Sequence, residues 1–244
     1  MIELSNLTKR YGNLLAVNRL NLFIPRGEIF GFIGPNGAGK TTTIRMMGGV
    51  LAPTEGSILI DGISMAEEPE KAKQRIGFIP DRPFLYEKLT GMEFMRFSAD
   101  MYGVKERAFS EKSASLLEMF SLSSWTDELI EAYSHGMKQR LIISAALLHD
   151  PLVIIVDEPM VGLDPVGIKM VKELLQELAR KGTTIFMSTH TLEIAEDICD
   201  RIGIIHQGSL IATGTITNLR EATHLQEGDL LEVFLRLTEE ETCR

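Results

Sequence analysis

A chain of 244 residues with 44% hydrophobic content carries enough apolar material for one large core or two small ones. Its 25 basic and 34 acidic residues give a formal charge of −9, and without a dense Lys/Arg run this disfavours a partner of nucleic acid. Two cysteines, Cys199 inside an apolar-periodic segment and Cys243 near the end, supply neither a disulfide framework nor metal-ligand spacing, so a reducing cytoplasm is the expected compartment.

Met1-Ile2-Glu3-Leu4-Ser5 already alternates like a strand, and a basic segment followed by an apolar one does not open the chain, so export by signal peptide is not expected. Alternation through Ile2–Leu7 and Leu15–Ile24, with a turn at Pro25-Arg26-Gly27, predicts an antiparallel β portion ahead of a buried strand at Ile29–Ile33. Lys40–Met47 shows no breaker before Gly48-Gly49 and reads as a helix opening out of the loop behind that strand. Ile58–Ile60 reads as a strand closed by Asp61-Gly62.

From Thr90 to about His149 the period turns helical. Thr90-Gly91-Met92-Glu93 is a capping box, followed by Phe94, Phe97, Met101 and Tyr102 at helical spacing. Strand–helix alternation then returns in Leu152–Val156, Ile168–Leu178, Thr184–Met187, Leu192–Cys199 and Ile202–Ile205, the pattern of a mostly parallel sheet covered by helices. A short β segment after Gly208 and a helix at Leu230–Leu237 finish the chain, leaving no room for a large regulatory extension. The expected fold is α/β, a mostly parallel sheet flanked by helices with an N-terminal antiparallel β portion and an inserted helical subdomain. One domain is expected over 1–244, with its core in 1–88 and 150–244 and the helical subdomain in 89–149. The most apolar stretch, Leu152–Val156, falls far short of the roughly 20 residues that cross a bilayer, so any membrane role would be peripheral.

Gly34-Pro35-Asn36-Gly37-Ala38-Gly39-Lys40-Thr41 follows one predicted strand and opens a helix. In a G-x-x-x-x-G-K-[ST] loop the glycines let backbone N–H groups curl round phosphates, Lys40 brings a mobile positive charge, and the Thr41 hydroxyl can reach Mg²⁺. The helix start, Thr42 included, adds anion affinity. Leu152–Val156 is an apolar strand ending in Asp157, at the sheet edge where ligands bind and suited to hold Mg²⁺. Since a strand alternates its faces, adjacent Glu158 is left to orient or deprotonate a water attacking the γ-phosphate.

With these residues in place the chain resembles the ATP-binding-cassette (ABC) ATPases, whose motifs run in order across residues 2–237. Tyr11 matches the aromatic that stacks on adenine in that family. Tyr133-Ser134-His135-Gly136-Met137-Lys138-Gln139-Arg140 resembles its signature, Gly162-Leu163-Asp164-Pro165 its D-loop, and Ser188-Thr189-His190 its switch histidine. Ser134 is also positioned to cap a helix through Arg140 to Leu148, so that its hydroxyl and the Gly136 backbone can face a phosphate. His135, His149, His206 and His224 read as ordinary surface or turn residues. The resemblance implies ATP and Mg²⁺ as cofactors and a head-to-tail pairing with a second ATPase subunit, a homodimer or a heterodimer, in which each signature covers the partner's nucleotide. It further implies a separate transmembrane permease, with this chain peripheral on the cytoplasmic face of the cell membrane.

Two departures mark a subgroup. Asp81 stands where the family's usual glutamine senses the γ-phosphate and Mg²⁺, and a carboxylate cannot donate a hydrogen bond as an amide can. His135 takes a usual glycine position, where its side chain is expected to point away from phosphate, and Met137 replaces a glutamine. The run Gly77–Tyr86, the signature variant and Leu231–Thr238 together resemble the ATPases of bacterial exporters of the drug, sodium and polysaccharide efflux type. Arg82-Pro83-Phe84-Leu85-Tyr86 carries apolar groups suited either to a groove for a permease helix or to pinning the loop on the helical subdomain. An importer ATPase and a soluble regulatory ATPase are the alternatives. Asp164-Pro165-Val166-Gly167 also spells the D-x-x-G of GTPases, but no N-K-x-D follows.

Overall fold

The computed structural model describes residues 1–81, 85–223 and 229–242, the side chains of 239–242 excepted. The chain folds around two sheets. The first is antiparallel at its centre: β1 (Ile2–Tyr11) lies between β2 (Leu14–Ile24) and β4 (Glu55–Ile60), with β5 (Ile63–Ser64) beside β4. The two-residue turn Gly12-Asn13 sets Tyr11 opposite Leu14, a hairpin geometry that glycine with positive φ allows.

The second sheet has six strands: β3 (Ile29–Ile33), β6 (Ile76–Ile79), β7 (Val153–Asp157), β8 (Thr184–Thr189), β9 (Arg201–His206) and β10 (Ser209–Gly214). Their order is β10-β9-β3-β8-β7-β6, with only β10 antiparallel to its neighbour. β3 and β7 are buried at every position, as continuous apolar runs covered on both faces must be. Side-chain alternation then divides β3 between two cores. Phe30 and Phe32 join Ile2, Leu4, Ile44 and Phe186 between the sheets, while Ile29 and Ile33 face the helices with Ile154 and Met187.

Between the sheets and around them lie α1 (Lys40–Met47), α2 (Pro69–Lys73), α3 (Gly91–Met101), α4 (Glu106–Met119), α5 (His135–Leu147), α6 (Pro165–Arg180), α7 (Leu192–Ile198), α8 (Ile216–Ala222) and α9 (Leu230–Thr242). The capping box starts α3: Thr90 Oγ1 accepts from the Glu93 amide at 3.1 Å, and Glu93 Oε2 accepts from the Thr90 amide at 2.8 Å. α3 to α5 sit between β6 and β7 in sequence, yet Phe94, Phe109 and Leu141 belong to the same apolar cluster as Ile154 and Met187. The helical insert is therefore cored jointly with the sheet.

Among the described strands and α-helices, four lie outside the sequence expectation: β5, β6, α2 and α8. α2 spans five residues, too few for a helical period to register, and the seven of α8 bury only Leu219. α6 starts before Ile168 because Asp164 caps it, accepting from the Gly167 amide at 2.9 Å, with Pro165 in the first turn. That cap accounts for the D-x-x-G coincidence. His149 does lie in a turn, the one after α5, but is half-buried there. Its ring stacks on Tyr102 at 3.7 Å and 7°, and Nε2–H donates to the Ile76 carbonyl at 3.1 Å. Burial lowers its pKa. Both ring nitrogens of His206 are also buried, while His135 is exposed and His224 lies outside the described residues. Among the described residues, no helix is long and apolar enough to cross a membrane.

Candidate functional site

Parallel register gathers the candidate residues at one sheet edge. Ile33 pairs with Thr189, Asp157 with Ser188 and Ile79 with Val156. The loops after β3, β6, β7 and β8 therefore emerge side by side, at the carboxyl edge where open α/β sheets bind ligands.

The loop after β3 is held from within. Lys40 Nζ donates to the carbonyls of Gly34 at 2.6 Å and Pro35 at 3.1 Å, and the Ala38 amide donates to Pro35 O at 3.2 Å. Burial lowers the Lys40 pKa, against the opposing pull of Glu158 and Asp157. Gly39 precedes α1 with φ of 110°, and a β-carbon there would sit 2.5 Å from Ala16 O. Only glycine meets both demands.

Asp157 is 3% exposed. Its Oδ1 accepts from the Ser188 hydroxyl and its Oδ2 from Thr41 Oγ1 at 3.1 Å. This brings two hard oxygen donors together at the root of the loop. β7 ends here, and Glu158 takes a left-handed φ of 53°, a conformation that costs a non-glycine residue roughly 1–2 kcal/mol. The separation of the two carboxylates thus comes from a backbone reversal, where strand alternation was the expectation. The reversal is held by the Glu158 amide donating to Ser188 O at 3.1 Å, and the side chain meets His190 Nδ1 at 2.7 Å and Thr189 Oγ1 at 3.3 Å. With Nδ1–H donating to the carboxylate, His190 keeps Nε2 for a ligand, and its side chain is 62% exposed.

A cleft of about 590 Å³ joins these groups: Tyr11, Asn36, Gly37, Gly39, Lys40, Thr41, Thr42, Asp81, Asp157, Glu158 and His190 all line it. Gly34 and Pro35 contribute through the carbonyls that hold Lys40, and Ala38 is a buried residue of the loop. Leu14, Ala16 and Val161 line the cleft without having been expected. The signal for Leu14 was available in the Gly12-Asn13 turn, which places it across from Tyr11. Asp81 also borders a second groove with Arg45, Val50 and Phe78. Of the apolar loop that follows, residues 82–84 lie outside the described residues, and Tyr86 meets Phe97 edge-on at 5.4 Å.

Ser134 and Gly136 do not line the cleft. Ser134 caps α5, its oxygen accepting from the Met137 amide at 3.3 Å, which leaves its hydroxyl hydrogen to donate outward. Met137 packs on the apolar core, so its side chain makes no polar contact in place of the amide expected from the resemblance.

Residues 17–161 match the protein family described as ABC transporter. The linearmycin resistance ATP-binding protein LnrL of Bacillus subtilis is 41% identical over 219 residues, covering 90% of this chain and 70% of the relative. A solved structure described as the ATP binding subunit of an ABC transporter is 36% identical with a TM-score of 0.93, over 98% of this chain and 99% of that one. Another, a dimeric post-hydrolysis state of the ATP-binding cassette MJ0796 bound to ADP and Pi, is 27% identical with a TM-score of 0.78, over 88% of this chain and 99% of that one.

Proposed function

The chain belongs to the ABC transporter family as an ATP-binding, ATP-hydrolysing subunit, and on that footing we propose that it drives an exporter by pairing head to tail with a second such subunit against a separate transmembrane permease. The observation that carries this is the split of the motifs. One cleft collects the phosphate loop, Asp157, Glu158 and His190, while Ser134 and Gly136 lie outside it at an exposed helix start. A two-fold pair presents both surfaces twice and makes two composite sites. The name of LnrL, a resistance protein, supports export, and the permease would keep the chain on the cytoplasmic face of the membrane.

Within one subunit Tyr11, 47% exposed, offers its ring to adenine. The loop 34–41 wraps the phosphates, with the Lys40 ammonium released from its own carbonyls to the β- and γ-oxygens. Thr41 Oγ1 and the Asp157 carboxylate, 3.1 Å apart, are the hard oxygen donors that suit Mg²⁺, with Asp81 in reach of the same cleft. Bound there, Mg²⁺ would neutralise the charge that develops between the β- and γ-phosphates. Glu158, turned into the cleft by its left-handed backbone, accepts the proton of the attacking water, and His190 orients that carboxylate. The Ser134 hydroxyl and the positive start of α5 close over the partner's phosphates. Binding energy realised only in the closed pair drives closure, and hydrolysis removes it.

Replacing Glu158 by Gln is expected to lower phosphate release on the order of a thousandfold while leaving ATP binding intact, so that the variant runs as an ATP-locked dimer in light scattering. Turnover at the wild-type rate would sink the assignment of Glu158.

A further inference from the structure

The family resemblance puts a glycine where this chain has His135, and the structure shows where the extra ring goes. His135 is the first residue of α5, exposed to solvent, and its imidazole lies over Gly162 of the loop between β7 and α6. A β-carbon on Gly162 would collide with His135 Cδ2 and stand 2.7 Å from Nε2. Gly162 itself holds φ of 77°. The next residue of α5 completes the seam: a β-carbon on Gly136 would lie 3.0 Å from the Gly162 carbonyl oxygen and 3.8 Å from Leu163 Cδ2.

The loop under the ring is short and anchored at both ends. At one end Val161 N donates to Glu158 O at 3.2 Å and Leu163 N to Met160 O at 3.3 Å. At the other, Asp164 caps α6. Three residues thus separate Glu158, on this subunit's own cleft, from the glycine that carries the ring of the α5 start.

We propose that His135 is a positioning residue for ATP hydrolysis: its ring clamps the Gly162 loop to the start of α5, so that Glu158 and the Ser134 helix end of one subunit move as a single piece. The inference rests on the head-to-tail pairing proposed above, in which those two groups serve different composite sites. His135 then acts by packing, with no contact to the phosphate, and the clamp is a property this chain gains from its departure at that position. Without the ring the loop has slack, and Glu158 is less closely tied to the closure of the Ser134 face.

The test compares steady-state ATP hydrolysis and amide hydrogen exchange for His135→Gly, His135→Phe, Gly162→Ala and the double variant Gly162→Ala/His135→Gly, with Mg·ATP as the only ligand. His135→Gly should lower kcat on the order of tenfold, the scale of a small misplacement of a reacting group, while KM for ATP stays within about twofold because the subunit's own phosphate loop is untouched. Amides of residues 160–164 should exchange faster. His135→Phe, which keeps a flat ring, should restore most of kcat. Gly162→Ala should impair turnover more, and adding His135→Gly should recover part of that loss because the colliding ring is gone. Unchanged kcat and exchange in His135→Gly, no rescue by His135→Phe, or strictly additive effects in the double variant would each overturn the clamp. Pairing is checked separately in the Glu158→Gln background: a chain that stays monomeric with Mg·ATP removes the pairing reading and this inference with it, whereas a dimer with an inert His135→Gly removes this inference alone.

Discussion

The two faces that carry the nucleotide-binding motifs are built to different degrees of completeness. On the phosphate-loop face Lys40, Asp157 and Glu158 already have partners inside the chain: Lys40 on Gly34 and Pro35, Asp157 on Ser188 and Thr41, Glu158 on His190 and Thr189. On the α5 face Ser134 satisfies its own helix through Met137, and the neighbours of His135 and Gly136 are glycine and leucine of the adjoining loop. Buried charges need internal partners to be tolerated at all, whereas an exposed helix start is held by one cap and water. The first face is therefore organised by folding, and the second, in the pairing proposed above, is finished by assembly.

The strongest way to break that contrast is to damage the two faces in different chains. Lys40→Ala removes a buried, hydrogen-bonded ammonium and should weaken ATP binding by about 3 kcal/mol, more than a hundredfold, while Ser134→Ala should leave binding intact and abolish turnover by removing the hydroxyl that meets the partner's phosphates. Mixed one to one, the two inactive chains should regain about a quarter of wild-type sites, since half of the pairs are mixed and each mixed pair holds one undamaged site. Activity that stays at zero on mixing would remove the two-face reading.

A second experiment sharpens the contrast within the first face, between its phosphate end and its base end. Around Tyr11 the cleft offers Leu14 and Ala16, so in the reading proposed above the base would be held by stacking and apolar contact. Tyr11→Ala should cost 1–3 kcal/mol, roughly tenfold in Kd measured with a fluorescent ATP analogue. Tyr11→Phe should bind within about twofold of wild type. A tenfold loss in Tyr11→Phe would point instead to the hydroxyl.

The smallest effect concerns the turn beyond the far end of α5. Burial holds the His149 imidazole below its ordinary 6.5 in the folded chain, with Asp150 and Lys112 as the charged groups around it. As pH falls the unfolded chain takes up the proton first, so the stability tied to neutral His149 is present above pH 6.5 and is lost as pH drops through that value. His149→Phe keeps a ring against Tyr102 and removes the titration. Thermal denaturation should show the wild type losing more Tm than the variant between pH 7.5 and 5.5, and parallel losses would refute the linkage.

The fold and the site were unequally legible. β3 at Ile29–Ile33 and α1 at Lys40–Met47 stand where the apolar run and the glycine loop place them, because a buried strand and a breaker-free helix are announced by neighbouring residues. The capping box at Thr90 and the cap at Ser134 were legible for the same reason. α2 was too short to show a period, and α8 buries a single residue, although Thr215 and Asn218 form a capping box that marks it. The stack of His149 on Tyr102 and the ring of His135 over Gly162 left no trace in the local pattern, since both depend on packing between elements distant in the chain.

What the amino-acid order determined by itself is the local chemistry: the glycines that free the loop backbone, the hydroxyls and carboxylates that cap helices, the apolar alternation of the strands. These are interactions among residues a few positions apart, and their signals are correspondingly short. Tertiary structure alone decided that Thr41 meets Asp157 across 116 positions, that Glu158 reverses its backbone to reach His190, and that Ser134 stays outside the cleft. Parallel strands joined by long crossovers bring such groups together only after the whole sheet has closed, because each loop's place at the edge is set by the register of its neighbours.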